Sequence, residues 1–377
     1  MSLSNRTILV TGAHGFIGKN LIVRLNELSN VNVATFVRGD NIALLSKLVS
    51  QADAVIHLAG ENRPSDEVAF ERVNSGLTVA LCETIEQINQ LSGRHIPLVL
   101  ASSIQAERDN PYGRSKLVAE SAVRNLSTKT GNPCVIFRLP GVFGKWCKPN
   151  YNSVVATFCH NIARNLAIQI NEPTASLRLV YVDDVVAALL AALEAPLPSC
   201  VQATVKPEYS TTLGELANQI RAFGDCRSTL ITERVGTGFI RALYATYVSY
   251  LPNEKFSYSV PQHADPRGVF VEMLKTPDSG QFSYFTAYPG ITRGGHYHHS
   301  KTEKFLVIKG EALFRFRHLL TNELVEIRTS GGSPEVVDTI PGWTHDITNV
   351  GNDEMLVMLW ANENFNKEKP DTVAKKV

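Results

Sequence analysis

The sequence predicts two domains: an α/β domain built on a doubly wound parallel sheet, followed by an all-β domain. A glycine-rich turn at 11–18 joins an apolar run at 7–10 to a stretch with helical apolar spacing. A second apolar run, 54–60, is continuous, which is typical of a parallel strand covered on both faces. After residue 252 this alternation gives way to short strands broken by Gly, Pro and Asp. We therefore expect a nucleotide-binding domain over 1–252 and a β domain over 253–377.

Length and composition exclude several other classes of protein. The chain has 377 residues, whereas one hydrophobic core supports about 250 to 300 residues, so we expect more than one domain. A formal charge of +1 gives no electrostatic reason to expect nucleic acid as a partner. The six cysteines include no Cys-x-x-Cys pair, which argues against a thiolate metal site and favours a reducing compartment. No apolar run approaches the roughly 18 residues of a membrane span, and no signal-peptide core precedes the first strand, so we expect an unprocessed cytoplasmic protein with no membrane partner.

The turn at 11–18 has the glycine spacing of a Rossmann-type dinucleotide site. Gly12 allows the tight turn, Gly15 lets the main chain approach a pyrophosphate, and Gly18 lets the next helix pack closely. The unpaired N–H groups at the start of that helix suit phosphate. A tight strand-to-helix turn that binds no ligand also needs glycines, and this alternative stays open. We expect the cofactor to contact the turn and the end of the 54–60 run, at Gly12, His14, Gly15, Phe16, Ile17, Gly18, Leu58 and Ala59.

Arg38 closes the second predicted strand, 31–37, and bears on the choice of cofactor. An acidic residue at this place holds the ribose 2′-hydroxyl of NAD, whereas an arginine accommodates the 2′-phosphate of NADP. The sequence therefore favours NADP. Two alternatives remain: a solvated arginine at a strand end, or Asp40 as a ribose ligand.

The next predicted elements bring hydroxyl groups to the ligand-binding edge of the sheet. Strand 97–101 ends at Ser102 and Ser103, and ligands of open α/β sheets bind at the carboxyl edge. Helices are predicted over 19–28, 42–49, 68–90 and 115–126.

Tyr112 and Lys116 lie four residues apart near the start of the 115–126 helix and so share one helix face. An ammonium beside a phenol favours the phenolate, so we expect Lys116 to lower the pKa of Tyr112 and make it a proton donor and acceptor. Ser103 can hydrogen-bond the same substrate oxygen. The alternative is a solvated helix face.

These motifs together resemble the extended short-chain dehydrogenase/reductase family of nucleotide-sugar enzymes. The resemblance covers about 5–250 and includes 138–144 and 179–185. It implies that Ser103, Tyr112 and Lys116 carry catalysis. The sugar 4,6-dehydratases of this family place an acidic pair after the catalytic Ser or Thr, whereas this chain has Ile104-Gln105. Oxidation or reduction at a sugar carbon is therefore expected, rather than dehydration.

The second domain contains the pattern Gly290, His296-Tyr297-His298, Glu303, Gly310, which resembles the first motif of the cupins, jelly-roll barrels built as a double-stranded β-helix. The stretch 341–349 resembles the second motif, shortened by one residue before His345. We expect His296, His298, Glu303 and His345 to hold a divalent metal. Zinc, nickel and iron(II) all suit this ligand set, and we favour zinc. A metal-free barrel in which the histidines act as acid–base or sugar-contacting groups stays open. We expect His299 and His318 to lie at the surface.

The stretches 265–270 and 292–296 resemble the cupin-type 3,5-epimerases that act on dTDP-4-keto-6-deoxy sugars. The resemblance implies phosphate or sugar contacts for Arg267 and Arg293, with salt bridges as the alternative. The base histidine of those enzymes falls on His296, which here belongs to a His-x-His pair. The identity of an epimerase base therefore stays open.

Over its whole length the chain resembles the bifunctional capsular-polysaccharide enzymes that make the UDP-N-acetyl-L-fucosamine precursor. The resemblance implies a UDP-2-acetamido-2,6-dideoxy-4-ketohexose as substrate, epimerised at C3 by the cupin and then reduced at C4 with NADPH. The product would be UDP-2-acetamido-2,6-dideoxy-L-talose, for capsule or O-antigen, and the protein a homodimer. Two other classes stay open: a reductase whose cupin only dimerises the protein, and a non-catalytic sensor of NADP and nucleotide sugar.

Overall fold

We analysed a computed structural model of the chain, which describes residues 3, 5–63, 66, 68–194, 199–368 and 370–377. The chain forms two compact units, Met1–Ile220 with Ala242–Leu251, and Arg221–Arg241 with Pro252–Val377. Within the second unit, the Thr232 N–H donates to the Lys275 carbonyl at 2.7 Å, and Arg234 pairs with Asp278 at 2.8 Å. Part of the chain before residue 252 thus packs with the β unit. The expected division between 252 and 253 stays a prediction.

The first unit is built on a six-stranded parallel sheet with the order β2-β1-β3-β4-β5-β8. Its strands are β1 Thr7–Thr11, β2 Asn32–Phe36, β3 Ala54–His57, β4 Leu98–Ser103, β5 Cys134–Leu139 and β8 Cys200–Ala203. A small second sheet pairs β6 Gly141–Phe143 parallel to β7 Ser176–Tyr181, which is antiparallel to β9 Tyr209–Thr212.

Helices cover both faces of the large sheet, with α1 Phe16–Asn26 and α6 Val182–Glu194 on one face and α2 Leu44–Gln51, α3 Leu77–Ser92 and α4 Pro111–Thr130 on the other. The chain also forms α5 Val154–Ala163, α7 Leu213–Thr229 and α8 Gly238–Val248. Ile8 and Val10 of β1 belong to one apolar core and Leu9 to the other. Alternate side chains of a strand point to opposite faces, so this division is what two-sided burial of the strand requires.

The second unit contains two antiparallel sheets, with the orders β10-β11-β12-β19-β14-β17 and β16-β15-β18-β13-β20. Its strands are β10 Gln262–Asp265, β11 Gly268–Lys275, β12 Gln281–Ala287, β13 Thr292–Tyr297, β14 Glu303–Lys309, β15 Glu311–His318, β16 Leu324–Ser330, β17 Val336–Asp338, β18 Trp343–Asn349, β19 Met355–Ala361 and β20 Val373–Ala374. Side chains from both sheets, among them Phe285, Phe305, Phe314 and Ile347, form one core. The predicted fold class, a Rossmann-type α/β domain followed by an all-β cupin domain, is confirmed.

Two differences from the predicted helices bear on the site. The predicted helix 68–90 contains a π-helical turn at Phe70–Gly76 before α3 begins. Helix α4 begins at Pro111 rather than 115, because the Asn110 side chain accepts a hydrogen bond from the Gly113 N–H at 2.8 Å and Pro111 occupies the first turn. Tyr112 therefore lies on the helix itself. Among the described residues no helix is long and apolar enough to cross a membrane.

Candidate cofactor site and metal centre

The turn after β1 lies where the strand order reverses. Strand β1 has β2 on one side and β3 on the other, and ligands of such sheets bind at the carboxyl ends of the strands at this switch point. Gly12 has a φ of +72°, and a Cβ there would lie 2.7 Å from the Ala59 nitrogen. A Cβ on Gly18 would lie 2.3 Å from the Gly12 carbonyl oxygen. Only glycines therefore allow the turn to contact both the chain after β3 and the start of α1.

Helix α1 begins after Gly15, and no side chain in the described part of the chain caps it. Its first N–H groups have no acceptor within the helix and remain available to an anion. His14 is exposed, and Phe16 and Ile17 are half-buried. The structure thus brings the predicted turn residues together with Ala59.

Arg38 pairs with Glu61, a residue that the sequence reasoning did not single out. The Arg38 side chain is 82% exposed and that of Glu61 only 13%. Glu61 also accepts a hydrogen bond from the Tyr151 hydroxyl at 3.0 Å. Asp40, the alternative ribose ligand, accepts the Val37 N–H at 2.8 Å and so closes the end of β2.

Ser103, Tyr112 and Lys116 meet at the end of β4. The Lys116 Nζ lies 5.9 Å from the centre of the Tyr112 ring and 3.5 Å from the Ala101 carbonyl oxygen. Gly113 makes this packing possible, because a Cβ there would lie 2.3 Å from the Arg108 carbonyl oxygen.

Burial controls the protonation of this group. It raises the pKa of Tyr112, and the Ser103 hydroxyl only partly offsets that rise. Burial also lowers the pKa of Lys116 to about 8, against the opposing charge of Glu120. The net shift of the tyrosine pKa is thus opposite to the expected lowering, because the cost of burying a phenolate is the largest influence on it.

Two polar networks that were not predicted support the site. The fully buried Glu120 carboxylate accepts hydrogen bonds from the Arg138 guanidinium at 2.8 and 2.9 Å and from Ser102 at 2.7 Å, which ties α4 to β4 and β5. The Asn74 side chain bonds both main-chain polar groups of Glu61, at 2.7 and 3.1 Å, and the Ser115 hydroxyl at 3.0 Å. Neither network carries a local sequence signal, since each joins residues far apart in the chain.

In the second unit the four predicted ligands lie together. One ligand atom from each of His296, His298, Glu303 and His345 is within 4.8 Å of the others. His296 and His345 face each other across the β13–β18 pairing, and Glu303 is the first residue of β14. His298, Glu303 and His345 are buried.

The chemistry of this cluster fits a cation. The His298 Nδ1 lies 2.5 Å from the Asp371 carbonyl oxygen, which can only accept, so Nδ1 donates its proton. The His298 Nε2 then faces the Glu303 carboxylate at 3.2 Å. Both ring nitrogens of His345 are buried without a hydrogen-bond partner among the described residues, although Nε2 is 3.5 Å from Glu303. A metal ion would satisfy the His298 Nε2, a Glu303 oxygen and one of the two His345 nitrogens at once.

The pKa shifts of Glu303 and His296 also fit a site for a cation. Burial would raise the pKa of Glu303, but the adjacent rings of His298 and His345 and the Lys301 ammonium at 2.8 Å hold it well below its usual range. Burial, followed by the neighbouring His345 and His298, lowers the pKa of His296 to about 4. An ionised carboxylate beside an imidazole that stays neutral is the protonation state that metal binding requires.

A cavity of about 150 Å³ opens beside the cluster. Arg293 lines it, donates its Nε–H to the Thr286 carbonyl at 3.0 Å and lies over the Phe285 ring. Arg267 instead pairs with Asp265 at 2.6 Å. The structure thus brings Arg293 to the four-residue cluster and gives Arg267 the salt bridge that was its alternative. His299 is exposed, whereas His318 is half-buried against Trp343.

A dinucleotide turn at the switch point of a parallel sheet, with Ser103, Tyr112 and Lys116 at its edge, defines a nicotinamide-dependent enzyme of the short-chain dehydrogenase/reductase class, here joined to a cupin. The chain matches the NAD dependent epimerase/dehydratase family over residues 8–200 and the polysaccharide biosynthesis C-terminal domain over 263–373. It belongs to this family, in the branch of capsular-polysaccharide enzymes that carry both domains.

Two similar proteins span nearly the whole chain, and a third covers about two thirds of it. The chain is 56% identical over 367 residues, 97% of its length and 98% of the other, to a UDP-2-acetamido-2,6-beta-L-arabino-hexul-4-ose reductase of Pseudomonas aeruginosa. The crystal structure of the capsular polysaccharide assembling protein CapF from Staphylococcus aureus matches with a TM-score of 0.87 and 41% identity, over 98% of this chain and 100% of that one. The Bordetella bronchiseptica enzyme WbmF, in complex with NAD+ and UDP, matches 66% of this chain and 92% of its own with a TM-score of 0.55 and 19% identity, which shows a shared fold.

Proposed function

We propose that the protein is an NADPH-dependent reductase of a UDP-2-acetamido-2,6-dideoxy-4-ketohexose and that its cupin epimerises C3 of the same sugar. The observation that carries the proposal is the 56% identity, over 97% of the chain, to a reductase of a UDP-linked hexul-4-ose. The product would be UDP-2-acetamido-2,6-dideoxy-L-talose, a precursor of UDP-N-acetyl-L-fucosamine.

The order of the two steps follows from their chemistry. A 4-oxo group acidifies the hydrogen on C3, so a proton can leave C3 and return on the opposite face only while the ketone is present. Reduction at C4 removes that ketone. Epimerisation must therefore precede reduction, and one chain that carries both activities can pass the labile keto sugar from one step to the next.

In the proposed reduction, the residues at the carboxyl edge of the six-stranded sheet have separate roles. Bound NADPH supplies the hydride that C4 accepts. Tyr112 donates the proton to the C4 oxygen, and its raised pKa keeps it protonated near neutral pH, as a donor must be. Ser103 hydrogen-bonds the same oxygen, and Lys116 holds the tyrosine and the cofactor ribose. Arg38 contacts the 2′-phosphate once it leaves Glu61.

In the cupin, His296, His298, Glu303 and His345 would hold one divalent ion, for which we propose zinc. The ion that these residues would hold would supply a positive charge able to stabilise an enolate oxygen. Arg293 adds a second positive charge to the wall of the cavity. Apolar side chains of β11, β12, β14 and β15 make up much of the rest of that wall and restrict the entry of water.

An NMR time course of the purified protein with the 4-keto substrate in D2O tests the proposal. Without NADPH we expect deuterium to enter at C3 with no reduction, and with NADPH we expect the C4-reduced epimer to accumulate. Reduction without exchange at C3 would contradict the epimerase activity and favour a reductase whose cupin is only structural. A failure to consume NADPH would contradict the reductase itself and favour a nucleotide-sugar sensor.

A further inference from the structure

Asp371 closes the loop that separates two of the candidate ligands, His298 and Glu303. Its carboxylate accepts hydrogen bonds from three consecutive main-chain N–H groups, those of His299 at 2.9 Å, Ser300 at 2.7 Å and Lys301 at 2.8 Å. The Ser300 hydroxyl adds a fourth at 3.0 Å. Charge-assisted hydrogen bonds are among the stronger ones, so this carboxylate fixes the loop.

The carbonyl of the same residue orients a ligand directly. The His298 Nδ1 donates to the Asp371 oxygen at 2.5 Å, which places the lone pair of Nε2 on the side of the cluster. Histidines that bind metals are commonly held in this way by an acceptor behind the ring. Asp371 therefore acts on His298 through its main chain and on the following loop through its side chain.

The residues after Asp371 contact the two strands that carry the other candidate histidine ligands, His296 on β13 and His345 on β18. Ala374 of β20 lies opposite His296 in the β13 pairing. The Lys375 N–H donates to the Gly295 carbonyl at 2.9 Å, and the Lys375 carbonyl accepts from the buried Thr344 hydroxyl at 2.5 Å, next to His345. Residues 371–375, which we call the strap, thus contact the elements that carry three of the four candidate ligands.

We propose that the strap is a positioning element of the cupin, and that Asp371 holds His298 and its loop in the geometry and tautomer that metal binding needs. This inference rests on the metal site of the proposed function. Loss of an outer partner of a ligating histidine commonly weakens metal affinity about 10- to 100-fold. Asp371→Ala keeps the main-chain carbonyl but frees the strap from the ligand loop, so the carbonyl is no longer held behind His298, and we expect a loss within this range.

The first test uses the full-length protein with Asp371→Ala, and with Asp278→Ala as the matched control. Asp278 is an exposed aspartate of the same unit whose carboxylate bonds Arg234 and Ser279 rather than the ligand loop. Zinc affinity is measured by competition with a chromogenic chelator. The Asp371 variant should bind zinc about 10- to 100-fold more weakly, and the control within about twofold of wild type. If both variants bound zinc as tightly as the wild-type protein, the strap proposal would be overturned but the metal site would stand. If the wild-type protein did not bind zinc, both proposals would be overturned.

A second readout needs neither metal nor activity. In the metal-free protein we expect Asp371→Ala to speed hydrogen exchange of the amides of His299, Ser300 and Lys301, and to convert His298 from the single Nδ1–H tautomer to a mixture visible in 15N NMR. If the substitution only destabilised the barrel, hydrogen exchange would become faster in all its strands and the tautomer of His298 would stay unchanged. That result would overturn the proposal.

Two milder substitutions keep the test decisive if Asp371→Ala fails to fold. Asp371→Asn retains one acceptor and should lose less affinity. Thr344→Val removes the hydroxyl that holds Lys375 and should weaken zinc binding in the same direction. Unchanged affinity in both folded variants would contradict the strap.

Discussion

At the scale of single residues, Tyr112 offers the sharpest separation of the two proposed activities. Tyr112→Phe removes the proton donor for the C4 oxygen and should slow reduction about 10²- to 10⁴-fold. Exchange at C3 should persist, because the cupin cluster contains none of the altered atoms. Tyr258→Phe, which removes a hydroxyl from an exposed ring of the other unit, is the control. Stopped-flow NADPH oxidation and NMR exchange measure the two steps, and a parallel loss of both would argue against separate sites.

The lowered pKa of Lys116 predicts a pH dependence. A buried lysine with a pKa of about 8 is charged below that pH and neutral above it. If its charge holds tyrosine and ribose, kcat/KM for reduction should fall as pH rises through about 8. The fall should precede any loss of the Tyr112 proton, because burial raises the pKa of Tyr112. A profile that stays flat from pH 7 to 9 would remove the charge of Lys116 from the mechanism.

Arg38 decides the expected preference for NADPH. Arg38→Asp replaces the partner of a 2′-phosphate with a carboxylate that repels it and can bind a ribose hydroxyl. We expect NADPH affinity to fall at least about tenfold more than NADH affinity. Titration of tryptophan or cofactor fluorescence with both nucleotides measures this ratio. Glu61→Gln frees Arg38 from its ion pair and should shift the ratio towards NADPH. An unchanged ratio in Arg38→Asp would place the arginine outside the cofactor site.

At the scale of elements, Gly113 sets the distance between α4 and the turn that follows Ser103. A Cβ at this position would lie 2.3 Å from the Arg108 carbonyl oxygen and 2.4 Å from that of Gln105. Gly113→Ala should therefore push Tyr112 away from Ser103, cost about 1 to 3 kcal/mol of stability and reduce C4 reduction. Denaturant unfolding and kinetics measure the two effects.

Gly76 provides the control for this substitution. It is exposed and helical, and a Cβ there meets its nearest neighbour at an ordinary 3.5 Å. Gly76→Ala should therefore leave stability unchanged or raise it by up to about 1 kcal/mol. Equal losses in both variants would show that helix flexibility, rather than close packing, explains Gly113.

The elements also show how far sequence reasoning reaches. Glycine spacing, the apolar runs and the His-x-His pattern predicted the switch-point turn, the parallel sheet and the four-residue cluster, because each is a local pattern with a fixed geometric consequence. The partners Glu61, Asn74 and Asp371 were missed, since they join the sites through contacts between distant residues. The net direction of the Tyr112 pKa shift differs from the expected one because burial, which no local motif encodes, has the largest influence on it.

At the scale of the whole molecule, the two proposed sites lie in different compact units, so each should be removable without the other. His345→Ala deletes one of four ligands, and the remaining groups would still have to be desolvated for fewer bonds. We expect metal content to fall from one ion per chain and the apparent stability of the cupin to fall with it, because an ion that binds only the folded state stabilises that state. His299→Ala, in an exposed histidine beside the cluster, is the matched control.

Elemental analysis of protein purified without chelators decides the metal assignment. A wild-type stoichiometry near zero would return the histidines to direct acid–base or sugar-binding roles. With metal present, C3 exchange should decline in His345→Ala in proportion to the metal if the ion stabilises the enolate, and should survive its loss if the ion is only a structural clip. Reduction of an already epimerised substrate should persist in either case, because Ser103, Tyr112 and Lys116 belong to the other unit. A loss of that reduction together with the metal would mean that the cupin supports the reductase directly, and the division of the chain into two independent activities would fail.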